Sequence, residues 1–198
     1  MLVSERYKFV YLANPKTGTT SIEAAFKQYA DFAAIGGPSV KHIPFKRFRR
    51  LFPYYATNFE VLVTVRDPIE TLYSWYRYRQ RDDLSKAENS TAGLSFGEFL
   101  EAWAQDTPPP YARIGTSVEF ILNGKGEIPD ISVFRYDGTP SLHDYLAAKI
   151  GKKIDVKSLN VSPKGNGENL EAHRKRVADL PKLARAYDIY SKIPYKNA

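Results

Sequence analysis

The run FEVLVTVR, residues 59–66, constrains this chain more than any other stretch. It is almost continuously apolar, the pattern of a parallel strand covered on both faces. Asp67-Pro68 ends it and opens a helix, because proline suits a first turn. Ile69, Leu72, Tyr73 and Tyr76 then recur at helical spacing. The same order of strand, turn and helix begins at KFVYLA (8–13), where Ile22, Ala25, Phe26 and Tyr29 follow at helical spacing. It returns at DISVFRY (130–136), followed by SLHDYLAAKIG, which Gly151 closes. This alternation predicts an α/β protein: a three-layer fold around a central parallel sheet.

Between these units, DFAAIGGP offers a second short strand that Gly36-Gly37-Pro38 stops. PFKRFRRLFPYY reads as a basic helix with Phe45, Phe48, Leu51 and Phe52 on one face. SFGEFLEAWA carries a capping box, Ser95 with Glu98. The stretch after Asn169 reads as helical and broken near Pro181. A chain of 198 residues is expected to form one domain over 1–198. Cysteine is absent, which excludes a disulfide scaffold and thiolate chemistry. No apolar run is long enough for a transmembrane helix, and Glu5, Arg6 and Lys8 precede a run too short for a secretory signal, so a cytoplasmic protein is expected. The net charge of +7 attracts anions without choosing among them.

The turn NPKTGTTS joins the first strand to its helix. In α/β folds ligands bind beyond the carboxyl ends of the strands. Backbone N–H groups and the helix dipole favour an anion there. Gly18 permits close backbone approach, Lys16 adds a full charge, and Thr17, Thr19, Thr20 and Ser21 add hydroxyl donors. These are the residues of a phosphate or sulfate cradle. A plain capped turn, with Thr19 or Thr20 as the N-cap, explains part of the same composition. The order G-x-x-x-x-G-K-[ST] of nucleotide triphosphatases is not matched, since Lys16 precedes Gly18. In the second unit, Arg66 ends a strand and Ser74 lies about two turns into the next helix, where an arginine and a hydroxyl could hold a second phosphate.

Together, PKTGTTS and R-D-P-x5-S-x-Y resemble the sulfotransferase family, enzymes that use 3′-phosphoadenosine 5′-phosphosulfate and release adenosine 3′,5′-bisphosphate. The resemblance implies a P-loop-like nucleotide-binding core. It implies that the first loop holds the 5′-phosphosulfate and that Arg66 and Ser74 hold the 3′-phosphate. SVFRYDGTPSLHDYLAAKIG is similar to a later strand and helix of the family, although Asp137 follows Tyr136 where a glutamate is usual. NVSPKG is similar to a late loop that closes on the 3′-phosphate, which would assign Ser162, Lys164 and Gly165 to the cofactor.

In such a reaction Lys16 would meet charge on the bridging oxygen, and positioning and electrostatics would dominate. No metal is expected. A general base is needed for the acceptor, and the chain has three histidines. His143 and His173 read as surface or packing residues. His42 follows the second strand, in the region where the family commonly carries its base; it could also simply cap the next helix. Glu23 is the alternative base, unless it pairs with Lys27 four residues on. Arg113 could face the acceptor, which could be a small molecule, a glycan or a lipid head group. Two other classes remain open: a phosphotransferase with a variant phosphate loop, and a basic nucleic-acid-binding module suggested by YSWYRYRQR. Nucleic acid is not the expected partner, because that stretch has a helical period with a Tyr/Leu core face.

Overall fold

The computed structural model describes residues 1–34, 36–81, 84, 87–137, 141–156 and 168–196. They form two compact units. The first comprises Met1–Arg66, 117–156 and 193–196; the second comprises Asp67–Thr116 and 168–192.

The first unit is built on a five-stranded mixed sheet in the order β3-β1-β2-β4-β5. The strands are β1 Leu2–Ser4, β2 Phe9–Leu12, β3 Phe32–Ala33, β4 Glu60–Val65 and β5 Ser132–Arg135. β2, β4 and β5 are parallel, with Tyr11 beside Leu62 and Thr64 beside Phe134. β1 runs antiparallel to both β2 and β3. The sheet is therefore mixed rather than wholly parallel. The physical reason is the tight turn between Ser4 and Phe9, too short for the crossover that a parallel pair requires.

β4 is buried along nearly its whole length, as its apolar run requires. One face of the sheet, with Phe9, Tyr11, Leu62 and Phe134, packs against Ile22 and Phe26 of α1 (Thr19–Phe26) and Leu142, Leu146 and Ile150 of a later helix. Val10, Leu12, Val61, Val63, Val65 and Val133, which alternate with them, are buried as well. α2 (Pro38–Lys41), α3 (Phe45–Leu51) and α4 (Pro53–Asn58) follow β3. The expected single basic helix is thus two, because Pro53 starts a new one. Phe45 and Phe48 are buried, whereas Leu51 is 48% exposed, outside the expected apolar face.

The second unit contains α5 (Pro68–Arg79) and α6 (Phe96–Ala104). Asp67 caps α5, its side chain accepting from Glu70 N at 3.0 Å. The Ser95–Glu98 capping box opens α6 as its sequence predicts. In the first unit, α7 (Leu142–Ile150) opens with a Ser141–Asp144 box and ends at Gly151, whose φ of 72° is left-handed. α8 (Leu170–Arg174) and α9 (Pro181–Ser191) complete the second unit, with the break at Pro181 in place. Its core is Ile69, Leu72, Phe96, Phe99, Trp103 and Leu183.

Candidate functional site

The site grows from the carboxyl end of β2. Asn14 is 1% exposed, so its amide hydrogens need partners. It donates through Nδ2 to Thr64 O at 2.9 Å and to Ser117 O at 3.0 Å. The Ser117 hydroxyl donates to Arg66 O at 2.6 Å and accepts from Arg66 N at 3.0 Å. Thr17 Oγ1 donates back to Asn14 O at 2.8 Å. The ends of β2 and β4 are thereby fixed to one another by buried side chains, and the loop 13–18 starts from a rigid base.

Within that loop two residues are left-handed: Lys16 at φ 65° and Gly18 at φ 71°. Glycine adopts this conformation freely, but for lysine it costs roughly 1–2 kcal/mol. Backbone strain of this kind gathers at functional sites. Gly18, not Thr19 or Thr20, is the N-cap of α1, and no side chain caps that helix. Thr19 is buried at its start, and Thr20 and Ser21 are half-buried.

Arg66 reaches the same loop. Its Nη1 donates to Lys16 O at 3.4 Å, and its guanidinium lies 4.6 Å from the Tyr136 ring centroid. A Cβ added to Gly18 would stand 3.4 Å from Tyr136 Cε2, so Tyr136 packs between the glycine and the arginine. Beside them opens a cleft of about 350 Å³, walled by Thr17, Gly18 and Ser21 on one side and Arg135, Tyr136 and His143 on the other. That volume lies at the lower end of the range for small-molecule pockets.

His42 is anchored on the same strand end. Its Nδ1 lies 2.6 Å from Ala13 O. A carbonyl can only accept, so Nδ1 carries the hydrogen and Nε2 keeps the lone pair of the neutral ring. Burial lowers the pKa of His42, outweighing the rise from the Ala13 hydrogen bond. Glu23 does not pair with Lys27 as its spacing suggests. It accepts from the Met1 backbone nitrogen at 3.2 Å and pairs with Lys41 Nζ at 2.7 Å, its side chain 12% exposed. Both candidate bases therefore belong to one half-buried cluster. Tyr11, fully buried nearby in the strand, has a hydroxyl without a hydrogen-bond partner among the described residues, and burial followed by the Glu23 charge pushes its pKa up.

Two further candidates belong to the second unit. Ser74 is half-buried on α5 of the second unit, and Arg113 is exposed there, donating to Pro108 O at 3.3 Å. Asp67 is engaged with Tyr187, whose hydroxyl donates to both carboxylate oxygens at 3.0 and 2.9 Å. Ser162, Lys164 and Gly165 lie outside the described residues. Among the described residues no group of three His, Cys, Asp or Glu side chains is placed to hold a metal ion.

Sequence reasoning missed Asn14, Ser117 and Tyr136, and it read His143 as a surface or packing residue although that side chain walls the cleft. Ser117 gave no local signal, since its partners lie 51 and 103 residues away. Tyr136 did carry one, as an aromatic at a strand's carboxyl end. No family model, no curated protein and no solved structure matches the chain.

Proposed function

We propose that the protein is a sulfotransferase with a P-loop-like core inside a three-layer fold, moving a sulfuryl group from 3′-phosphoadenosine 5′-phosphosulfate to an acceptor hydroxyl or amine. The observation that carries the reading is the left-handed Lys16–Gly18 loop at the end of β2, joined by Arg66 through the Lys16 carbonyl. A left-handed lysine is not enough by itself, since Lys8 in the β1–β2 turn has φ 52°; what sets the Lys16 loop apart is its place at the carboxyl end of a parallel strand, before a helix, with Arg66 at its carbonyl. A cradle for a phosphosulfate needs that place, because it presents backbone N–H groups and a cation to one anion.

The residues fit the donor in three further respects. Gly18 has a φ of 71°, which disfavours any side chain, and a Cβ there would already touch Tyr136 at 3.4 Å. The cleft pairs an aromatic ring and the apolar Ile22, Leu142 and Val156 with polar groups, a surface suited to a nucleoside. Arg66 ends β4 with its guanidinium held against Tyr136, and the sequence motif pairs it with Ser74 for the 3′-phosphate. The donor supplies the activated sulfuryl group. Lys16 then offers positive charge where negative charge grows on the departing oxygen. His42, neutral and with Nε2 open as an acceptor, takes the proton of the acceptor hydroxyl.

A melting-temperature series with adenosine 3′,5′-bisphosphate, AMP, ATP and a short DNA duplex tests this. Stabilisation by the bisphosphate above the other three supports the sulfotransferase. Stabilisation by ATP with magnesium alone would favour a phosphotransferase, and by DNA alone a nucleic-acid-binding module.

A further inference from the structure

The segment between Asp31 and Glu60 contains Lys41, Lys46, Arg47, Arg49 and Arg50 and no carboxylate at all. Four of these cations lie on α3, and all four are exposed. At 100° per residue they fall within an arc of about 160°, on the side of the helix away from the buried Phe45 and Phe48. Other cations of the chain find partners: Lys149 with Glu60, Arg176 with Glu101 and Lys192 with Asp188. The four on α3 pair with no carboxylate among the described residues.

This arrangement costs the fold stability. Lys46–Arg49, Arg47–Arg50 and Lys46–Arg50 are like-charge pairs at i,i+3 and i,i+4. The helix dipole explains Arg49 and Arg50 in the last turn, but Lys46 and Arg47 stand in the first turn, where positive charge is disfavoured. Among the described residues no carboxylate neutralises them, so the face is complementary in charge to an external anion. Beside the cations, Leu51 is 48% exposed and Tyr54, in the first turn of α4, is 59% exposed. A soluble polyanion has no use for an exposed leucine. A bilayer interface accepts both: cations at the phosphates, and aliphatic and aromatic side chains at the headgroup boundary.

We propose that the exposed face of α3, with Leu51 and Tyr54, is a docking surface for an anionic lipid bilayer. This does not rest on the sulfotransferase reading, because docking needs neither cofactor nor turnover.

The test is co-sedimentation of the full chain with vesicles of phosphatidylcholine alone and of phosphatidylcholine mixed with phosphatidylserine. The wild type is expected to bind only the mixed vesicles and to release as salt rises. Arg47→Gln should weaken binding about fivefold, and replacing all four cations by glutamine should abolish it. Leu51→Ser should weaken the binding that survives at high salt. Lys192→Gln, which removes a charge elsewhere, should change nothing. All five positions on α3 are exposed, and an unchanged melting temperature checks that each variant is folded. Failure of the wild type to bind mixed vesicles, or full binding by the quadruple variant, overturns the proposal. So does tighter binding to heparin or duplex DNA than to vesicles, which would assign the face to a soluble polyanion.

Discussion

The two ends of the parallel strands use polar residues in opposite ways. At the amino end, Glu60 opens β4 and is surrounded by donors: Ser132 Oγ at 2.6 Å, Tyr145 OH at 2.8 Å and Lys149 Nζ at 2.8 Å, with Lys196 Nζ at 3.3 Å. Every group there is spent on another. At the carboxyl end, Asn14, Thr17 and Ser117 are spent in the same manner, but what they hold is a strained loop beside an open cleft. One end consolidates the sheet. The other uses a consolidated base to present Lys16, Gly18 and Arg66. The difference separates residues whose loss should unfold the protein from residues whose loss should silence it.

The largest expected effect is at the carboxyl end. His42→Ala should lower kcat by about 10²–10⁴ while leaving bisphosphate affinity nearly intact. Because burial depresses the pKa of His42, the neutral ring that the proposed reaction needs persists below the ordinary histidine range, and on that proposal the wild-type rate should fall only as pH drops through the lowered value. A pH–rate profile with a panel of acceptors checks this; the acidic limb should vanish in the variant. A wild-type limb retained in His42→Ala would transfer the role to Glu23, and Glu23→Gln then becomes the test.

Lys16→Ala comes next. Removing one group that stabilises transition-state charge costs roughly 10²–10³ in rate. The melting temperature should hold, since alanine at φ 65° carries the same left-handed strain as lysine. Normal turnover would remove Lys16 from the chemistry. Gly18→Ala should be felt in both properties, with φ 71° and Tyr136 at 3.4 Å against it. A loss of about 1–2 kcal/mol of stability is expected, together with weaker bisphosphate binding.

Glu60→Gln is the contrasting variant and carries the smallest effect on function. Burial pushes the Glu60 carboxyl up, but the hydrogen bonds from Lys149, Ser132 and Tyr145 and the charge of Lys149 bring it down to about 2. A folded-state pKa below the unfolded one gives stability that is fully present above the unfolded value, about 4.3. It is lost as pH falls through about 2. With the side chain 22% exposed, the contribution is on the order of 2–3 kcal/mol. Denaturant titrations between these limits should show the wild type losing its advantage over Glu60→Gln, with ligand affinity equal at neutral pH.

The carboxyl end was legible in the sequence where local signals act: strand, turn, cap and periodicity. β4, the Asp67 cap, the Ser95–Glu98 box and the Gly151 stop all follow from residues close together in the chain. β1 left no pattern, because a strand of three residues is too short to express alternation, whereas the short strand expected in DFAAIGGP is present as β3. The antiparallel pairing of β1 made the sheet mixed. Glu23 was misread for a related reason. The i,i+4 rule gives Lys27, but Glu23 pairs with Lys41 at the end of α2, 18 residues along the chain. The Asn14–Ser117–Arg66 base of the site is likewise assembled across more than 50 residues, and no local rule can write it.

The most direct test of the contrast is calorimetric titration of adenosine 3′,5′-bisphosphate and of AMP into the wild type, Arg66→Ala and Glu60→Gln. One charge-assisted hydrogen bond to the second phosphate contributes about 1.5–3 kcal/mol. The wild type and Glu60→Gln should therefore prefer the bisphosphate over AMP by about tenfold or more, and Arg66→Ala should lose most of that preference. Equal affinity of the wild type for the two nucleotides would contradict the account.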